Sequence, residues 1–324
     1  MTIISLSLII FYISNRSFAS STNLGMNVTN FSFAAVGDWG CSHNAIDTVD
    51  NIMNKKPQFV LGLGDYSYTQ NANCWLDIVR PIEKMLKISL GNHEIDSFSK
   101  LYQFVSHFNL SKPFYSFDFS NVHFVAMSTE FSSETDNGTD GLVGSEQYKF
   151  VTKDLSTTAS NPNIHWIIVY FHKPAYASPN RHTPFIAFRD TYHPLFEKYH
   201  VDLVLQGHNH VYERSYPIAY NDKSPSDPLI VTHSSNSSSS GIISNSSNVT
   251  NYLYHVSKGQ IYVTVGTGGA TQNVPKGKNS YIAVQYNEFG FLGVSITNNG
   301  TKLNAIFYAN DGSIRDKFSL IKPL

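Results

Sequence analysis

The fold this sequence predicts is an α/β sandwich with a mixed sheet, and three observations predict it. Short buried apolar runs alternate with amphipathic helical stretches from Phe31 to Gln206. A hairpin signal interrupts that alternation, and the chain closes on strand-like runs with no helix between them. Phe31–Gly37 opens as an apolar strand ending in Gly-Asp. Ala45–Met53 follows as a helix, with Ile46, Val49, Ile52 and Met53 spaced for one face. Phe59–Leu63 is a second strand ending in Gly-Asp, and Lys87–Leu90 a third ending in Gly-Asn. Tyr115–Phe119 and Val122–Met127 form a hairpin about Ser120-Asn121. Ser145–Leu155 reads as a helix, Trp166–Tyr170 as a strand, Phe185–Tyr199 as a helix and Leu203–Gln206 as a strand. The antiparallel close comprises Ile261–Val265, Tyr281–Gln285, Phe291–Ile296 and Leu303–Tyr308.

Between these elements, Ser234–Asn251 is Ser/Asn-rich and carries three Asn-x-Ser/Thr sequons. It reads as a disordered loop inserted in the domain, because too little chain follows it to build a second core. One domain over residues 21–324 is expected. Residues 1–20 read as an export signal: Ile3–Ile13 is an apolar run followed by the small-x-small pattern Ser17-Phe18-Ala19. That run is shorter than the ~20 residues a stable membrane span needs, and an uncleaved anchor is the alternative. The expected location is secreted, and the eight sequons beyond residue 20 (Asn27, Asn30, Asn109, Asn137, Asn236, Asn245, Asn248, Asn299) agree with export. In an oxidising compartment a bridge between Cys41 and Cys74 is favoured over two free thiols. With 23 Lys+Arg against 24 Asp+Glu and no basic stripe, nucleic acid is not expected as the main partner.

Five motifs stand at the ends of predicted strands: Gly37-Asp38-Trp39-Gly40, Gly64-Asp65-Tyr66-Ser67-Tyr68, Gly91-Asn92-His93-Glu94, Val169-Tyr170-Phe171-His172 and Gly207-His208-Asn209-His210. A single Gly-Asp after a strand is usually only a turn. Five motifs in this order, each placing a hard or borderline ligand just past a buried run, point to a metal centre at the carboxyl ends of a sheet. Gly266-Thr267-Gly268-Gly269 lacks the Lys-Ser/Thr of a nucleotide loop and reads as a glycine turn near the site. His123 and His165 read as core or edge histidines, and His43 as a solvated cap. His193, His200, His233 and His255 have no partners at ligand spacing. Trp39 and Tyr176 either line the pocket or pack in the core.

On these motifs the sequence resembles the purple acid phosphatases, within the calcineurin-like metallophosphoesterases, from Phe31 to about Lys317. It is similar to their small single-domain form. The resemblance implies a metallophosphoesterase-type β-sandwich of mixed sheets flanked by helices. It implies a first metal, Fe(III), on Asp38, Asp65, Tyr68 and His210, and a second, Zn, Fe or Mn, on Asp65, Asn92, His172 and His208. His93 and His182 match positions that contact the substrate phosphate; His93 lies in an intact motif, His182 rests on spacing alone. Most members begin Asp-x-His, whereas here Gly40 takes the place of that histidine, and Tyr68 fills the gap as in the purple enzymes. Asp38, Asp65 and a Tyr68 phenolate bring three negative charges, a set that suits a trivalent ion.

The expected activity is hydrolysis of small phosphorylated monoesters with an acidic optimum, by two-metal chemistry. The rival readings are a phosphodiesterase or nucleotide pyrophosphatase of the same fold, and a secreted non-catalytic metal-binding module.

Overall fold

The computed structural model describes residues 30–130, 142–231, 241–244, 251–255 and 259–322. The export signal and the sequons at Asn27, Asn137, Asn236, Asn245 and Asn248 lie outside these residues. The first half of the fold runs β1 (Phe31–Val36), α1 (His43–Lys55), β2 (Phe59–Leu63), α2 (Asn73–Val79), β3 (Leu86–Ser89), α3 (Phe98–His107) and β4 (Tyr115–Phe119). It continues with β5 (Val122–Ala126), α4 (Glu146–Ala159), β6 (Trp166–Tyr170), α5 (Ile186–Lys198) and β7 (Leu203–Gln206). Thereafter every regular element described is a strand. These are β8 (Tyr212–Ser215), β9 (Ile218–Ala219), β10 (Leu229–Ile230), β11 (Gly241–Ser244), β12 (Asn251–His255) and β13 (Ile261–Val265). The last four are β14 (Ile282–Tyr286), β15 (Gly290–Thr297), β16 (Lys302–Ala309) and β17 (Ile314–Ile321).

Two mixed sheets result, flanked by the helices. One has the order β11-β12-β17-β16-β15-β1-β2-β3, the other β14-β8-β13-β7-β6-β5-β4. Each holds a parallel core, β1-β2-β3 in the first and β5-β6-β7-β13 in the second. Parallel strands packed on both faces read as unbroken apolar runs, which is why β2, β6 and β7 are buried at every residue. The sheets meet through an aromatic cluster. Phe33 of β1 and Phe59 of β2 stack at 5.4 Å between centroids, and both make T-shaped contacts with Phe124 of β5, at 5.2 and 5.3 Å. Pairs of this kind contribute roughly 0.5–1.5 kcal/mol each beyond their area. A buried polar latch adds direction: Arg214 of β8 donates to Asp316 of β17, which also accepts from the Tyr212 hydroxyl. These contacts fix one sheet against the other.

The structure corrects some expectations and bears out others. The buried stripe of α1 is Ala45, Thr48, Val49 and Ile52, while Ile46 and Met53 are each 42% exposed. Part of the Ser/Asn-rich segment is not loop: β11 pairs antiparallel with β12, which adds parallel to β17 and so extends the first sheet. Backbone hydrogen bonding at an open sheet edge needs no apolar pattern on the added strand. Trp39 and Tyr176 are both buried packing residues. Cys41 and Cys74 are bridged, tying the loop after β1 to the start of α2. No helix among the described residues is long and apolar enough to cross a membrane.

His123 is a core histidine with a consequence for stability. Its Nδ1 lies 2.6 Å from Asp118, its cross-strand neighbour, and its Nε2 lies 2.8 Å from Asp154 of α4. Burial disfavours its charge, but the two carboxylates outweigh burial and raise its pKa above the ordinary value. A pKa raised on folding stabilises fully below the unfolded value of ~6.5 and is lost as pH climbs through the folded one. His123→Gln is therefore expected to lower the melting temperature by roughly 2–4 °C at pH 5.5. The difference should shrink in alkaline buffer; a constant one would refute the linkage.

Candidate metal centre

The candidate ligands emerge from strand ends: Asp38 follows β1, Asp65 and Tyr68 follow β2, Asn92 follows β3, His172 follows β6, and His208 and His210 follow β7. Three of them turn the chain through the left-handed region, Asp38 at φ 58°, Asp65 at φ 54° and His208 at φ 69°. Such backbone costs roughly 1–2 kcal/mol per residue without glycine. Here it is held by neighbouring loops. Asp38 N–H donates to the Gly64 carbonyl (3.0 Å), Trp39 N–H to the Asp65 carbonyl (2.9 Å), and Gly269 and Ala270 N–H to the Asp38 carbonyl. Close approach explains the glycines. A Cβ on Gly91 would fall 2.3 Å from Asp65 Oδ1, and one on Gly266 would fall 2.0 Å from the Asn209 carbonyl and 2.8 Å from Asp38 Oδ2.

All seven side chains converge. Around Tyr68, the hydroxyl lies 2.9 Å from His210 Nε2, 3.3 Å from Asp38 Oδ1 and 3.5 Å from Asp65 Oδ2. Around His172, Nε2 lies 3.0 Å from His208 Nδ1, 3.2 Å from Asp65 Oδ2 and 3.3 Å from Asn92 Oδ1. Asp65 is common to both groups. Asp65, His172 and His208 alone place one ligand atom each within 4.8 Å of one another.

The chemistry of these donors fits cations. His172 Nδ1 is 2.8 Å from the Leu63 carbonyl and His210 Nδ1 is 2.5 Å from the Thr271 carbonyl. A carbonyl accepts only, so each Nδ1 carries the proton, and a neutral ring then turns a bare Nε2 toward carboxylates. Lone pairs crowded at this distance repel unless a positive charge sits among them. Electrostatics agree. Burial would lower the proton affinity of His172, yet Asp65 overrides it and raises its pKa to about 10, so the site demands a positive charge that either a proton on Nε2 or a metal ion can supply. Burial opposes charge on Asp65 as well, but His172 and the His93 amide hold it below the ordinary carboxylate range. Burial and then His172 and His182 push His208 down to about 2, so the two adjacent imidazoles do not both protonate. Tyr68 is driven far above the ordinary phenol range by burial and then by Asp38 and Asp65. Its ionisation needs a strong local cation.

His93 and His182 face the same cavity, of about 500 Å³. The His93 amide donates to Asp65 Oδ1 (2.9 Å), its Nε2 lies 4.0 Å from Asp65 Oδ2, and its Nδ1 is 3.0 Å from Asp96. The ring of His182 lies 4.0 Å from that of His208, centroid to centroid. Sequence reasoning missed Glu94, Asp96 and Arg181. Glu94 is fully buried and accepts the N–H groups of Asp65, Gly91 and Tyr66, fixing two ligand loops at once; burial and Asp65 push its carboxyl up to about 8. It stood inside a quoted motif, but an acid whose partners are backbone amides leaves no spacing signal.

A family profile, calcineurin-like phosphoesterase, matches residues 31–212, a span that holds every candidate ligand together with His93 and His182. Among curated proteins, phosphoenolpyruvate phosphatase of Allium cepa is 25% identical over 300 residues, covering 83% of this chain and 56% of its own. Purple acid phosphatase 21 of Arabidopsis thaliana is 30% identical over 224 residues, covering 62% of this chain and 48% of its own. The chain thus spans about half the length of these relatives. Among solved structures, a purple acid phosphatase from yellow lupin seeds superposes with a TM-score of 0.68 at 20% identity, covering 90% of this chain and 54% of its own. GAP50, the anchor in the inner membrane complex of Plasmodium, superposes at 0.63 with 17% identity, covering 91% and 90%. Both likenesses speak to the fold.

Proposed function

The chain belongs to the calcineurin-like phosphoesterases and is distantly homologous to purple acid phosphatases, and from that we propose an acid phosphatase. It would hydrolyse phosphate monoesters, with Fe(III) held by Asp38, Asp65, Tyr68 and His210 and a divalent Zn, Fe or Mn held by Asp65, Asn92, His172 and His208. The observation that carries the reading is the place of Tyr68. A Cβ on Gly40 would meet the Tyr68 ring at 3.6 Å, and the Tyr68 hydroxyl lies between His210 and both carboxylates. A phenolate in that position supports a hard trivalent ion.

Bound there, the ions supply Lewis acidity that neutralises phosphoryl charge and makes water a nucleophile, in acid when one ion is ferric. The protein supplies the rest. Asp96 holds His93 through Nδ1 and leaves Nε2 on the side of Asp65 and the cavity, from which it would donate a proton to the leaving oxygen. His182 is held below its ordinary pKa by burial, then by His210 and Arg181, which suits contact with the phosphoryl group over proton donation. Hydrolysis of a phenyl phosphate should exceed that of the matching diester and peak in acid, with iron in metal analysis. Faster diester turnover, or a colourless enzyme fully active with two zinc ions, would sink this reading.

Export is proposed on the apolar leader, the Cys41–Cys74 bridge, and the exposed sequon asparagines Asn30, Asn109 and Asn299. Enzymatic removal of N-glycans should lower the mass of protein made by a glycosylating host. An unchanged mass together with cytosolic retention would count against export.

A further inference from the structure

Resting on the phosphatase reading, we propose that Arg181 selects phosphate esters whose leaving group carries a second anionic group. Arg181 lines the same cavity as His93 and His182, and no other arginine or lysine among the described residues does. Its charge is uncommitted. The other four described arginines are ion-paired: Arg80 with Asp77, Arg189 with Asp190, Arg214 with Asp316 and Arg315 with Glu288. Arg181 has no ion pair among the described residues; only its backbone N–H is engaged, by Asn180 Oδ1 at 2.7 Å.

The loop that carries it is anchored. Asn209, between two candidate ligands, donates from Nδ2 to the His182 carbonyl (3.3 Å), and the Phe185 N–H donates to the Pro174 carbonyl (2.7 Å). An unpaired guanidinium is therefore held one residue from an imidazole that stacks near the candidate centre. Arg181 is exposed at the rim of the cavity, where the outward-projecting leaving group of an ester bound at the candidate centre would meet it. A planar fork with two parallel N–H donors suits a carboxylate or a phosphate there.

Binding tests this without turnover. Calorimetry on the metal-loaded protein would compare 3- and 4-carboxyphenylphosphonate with their carbamoyl counterparts, which keep the shape and lose the charge. The wild type should bind at least one carboxylate about fivefold more tightly than its amide, the scale of a rim charge contact. Arg181→Gln should erase that preference and leave amide affinity within about 1.5-fold, and raising salt should weaken the preference in the wild type. Arg181 is exposed, so the variant is expected to fold. Equal losses for both ligands, no preference in the wild type, or no binding of either would overturn the inference. A protein with the preference that hydrolyses no monoester would refute the phosphatase reading alone; one that hydrolyses them without preference would refute only the role of Arg181.

Discussion

His172→Ala is expected to lower kcat/KM for a phosphate monoester by about 10³-fold or more, the equivalent of several kcal/mol of charge stabilisation at a metal. His172 is fully buried, with Nδ1 fixed on the Leu63 carbonyl and Nε2 directed at Asp65, Asn92 and His208. Removing it opens the second ligand group while leaving Asp38, Tyr68 and His210 in place. Metal analysis should fall toward one ion per chain. A cavity at a buried position also destabilises, so melting temperature and far-ultraviolet dichroism are read in parallel. A folded variant with full activity and both metals would remove His172 from the centre.

Tyr68→Phe should be the more selective change. The phenol oxygen is its only loss, and that oxygen is the atom between His210, Asp38 and Asp65. With a phenolate on Fe(III) the loaded protein should be coloured, and the variant should lose that absorption band and about 10² in kcat, the scale of losing one strong electrostatic partner. The Tyr68 ring also packs beside Gly40 and His93, contacts that phenylalanine keeps, so the fold should survive. An unchanged spectrum would mean that colour, if present, has another origin.

Much of the site could be read from the motifs because ligand chemistry is written in residue type and in the glycines that let backbones approach. Asp38, Asp65, Asn92, His172, His208 and His210 each follow an apolar run, and each run became a buried strand. Glu94 and Asp96 were adjacent to a recognised ligand yet had no assigned role, since one serves backbone amides and the other the far side of His93. Arg181 is visible only by the lack of a partner, a property of three-dimensional neighbours. The strand at Gly241–Ser244 escaped because its place is set by the edge of an existing sheet, where hydrogen-bonding backbone imposes order on a sequence with weak preference.

The sequence by itself determined the alternation of buried strands and helices, the identity of the donor atoms, and their location just beyond strand ends. The resemblance implied the two ligand groups and the shared Asp65; only the tertiary structure gave the distances at which the donors meet and which ring nitrogen of His172 and His210 faces the carboxylates. The reason is distance along the chain. The Leu63 carbonyl that fixes His172 is 109 residues away, and the Tyr68–His210 contact spans 142. Local periodicity carries no information at that range; the packing of two sheets supplies it.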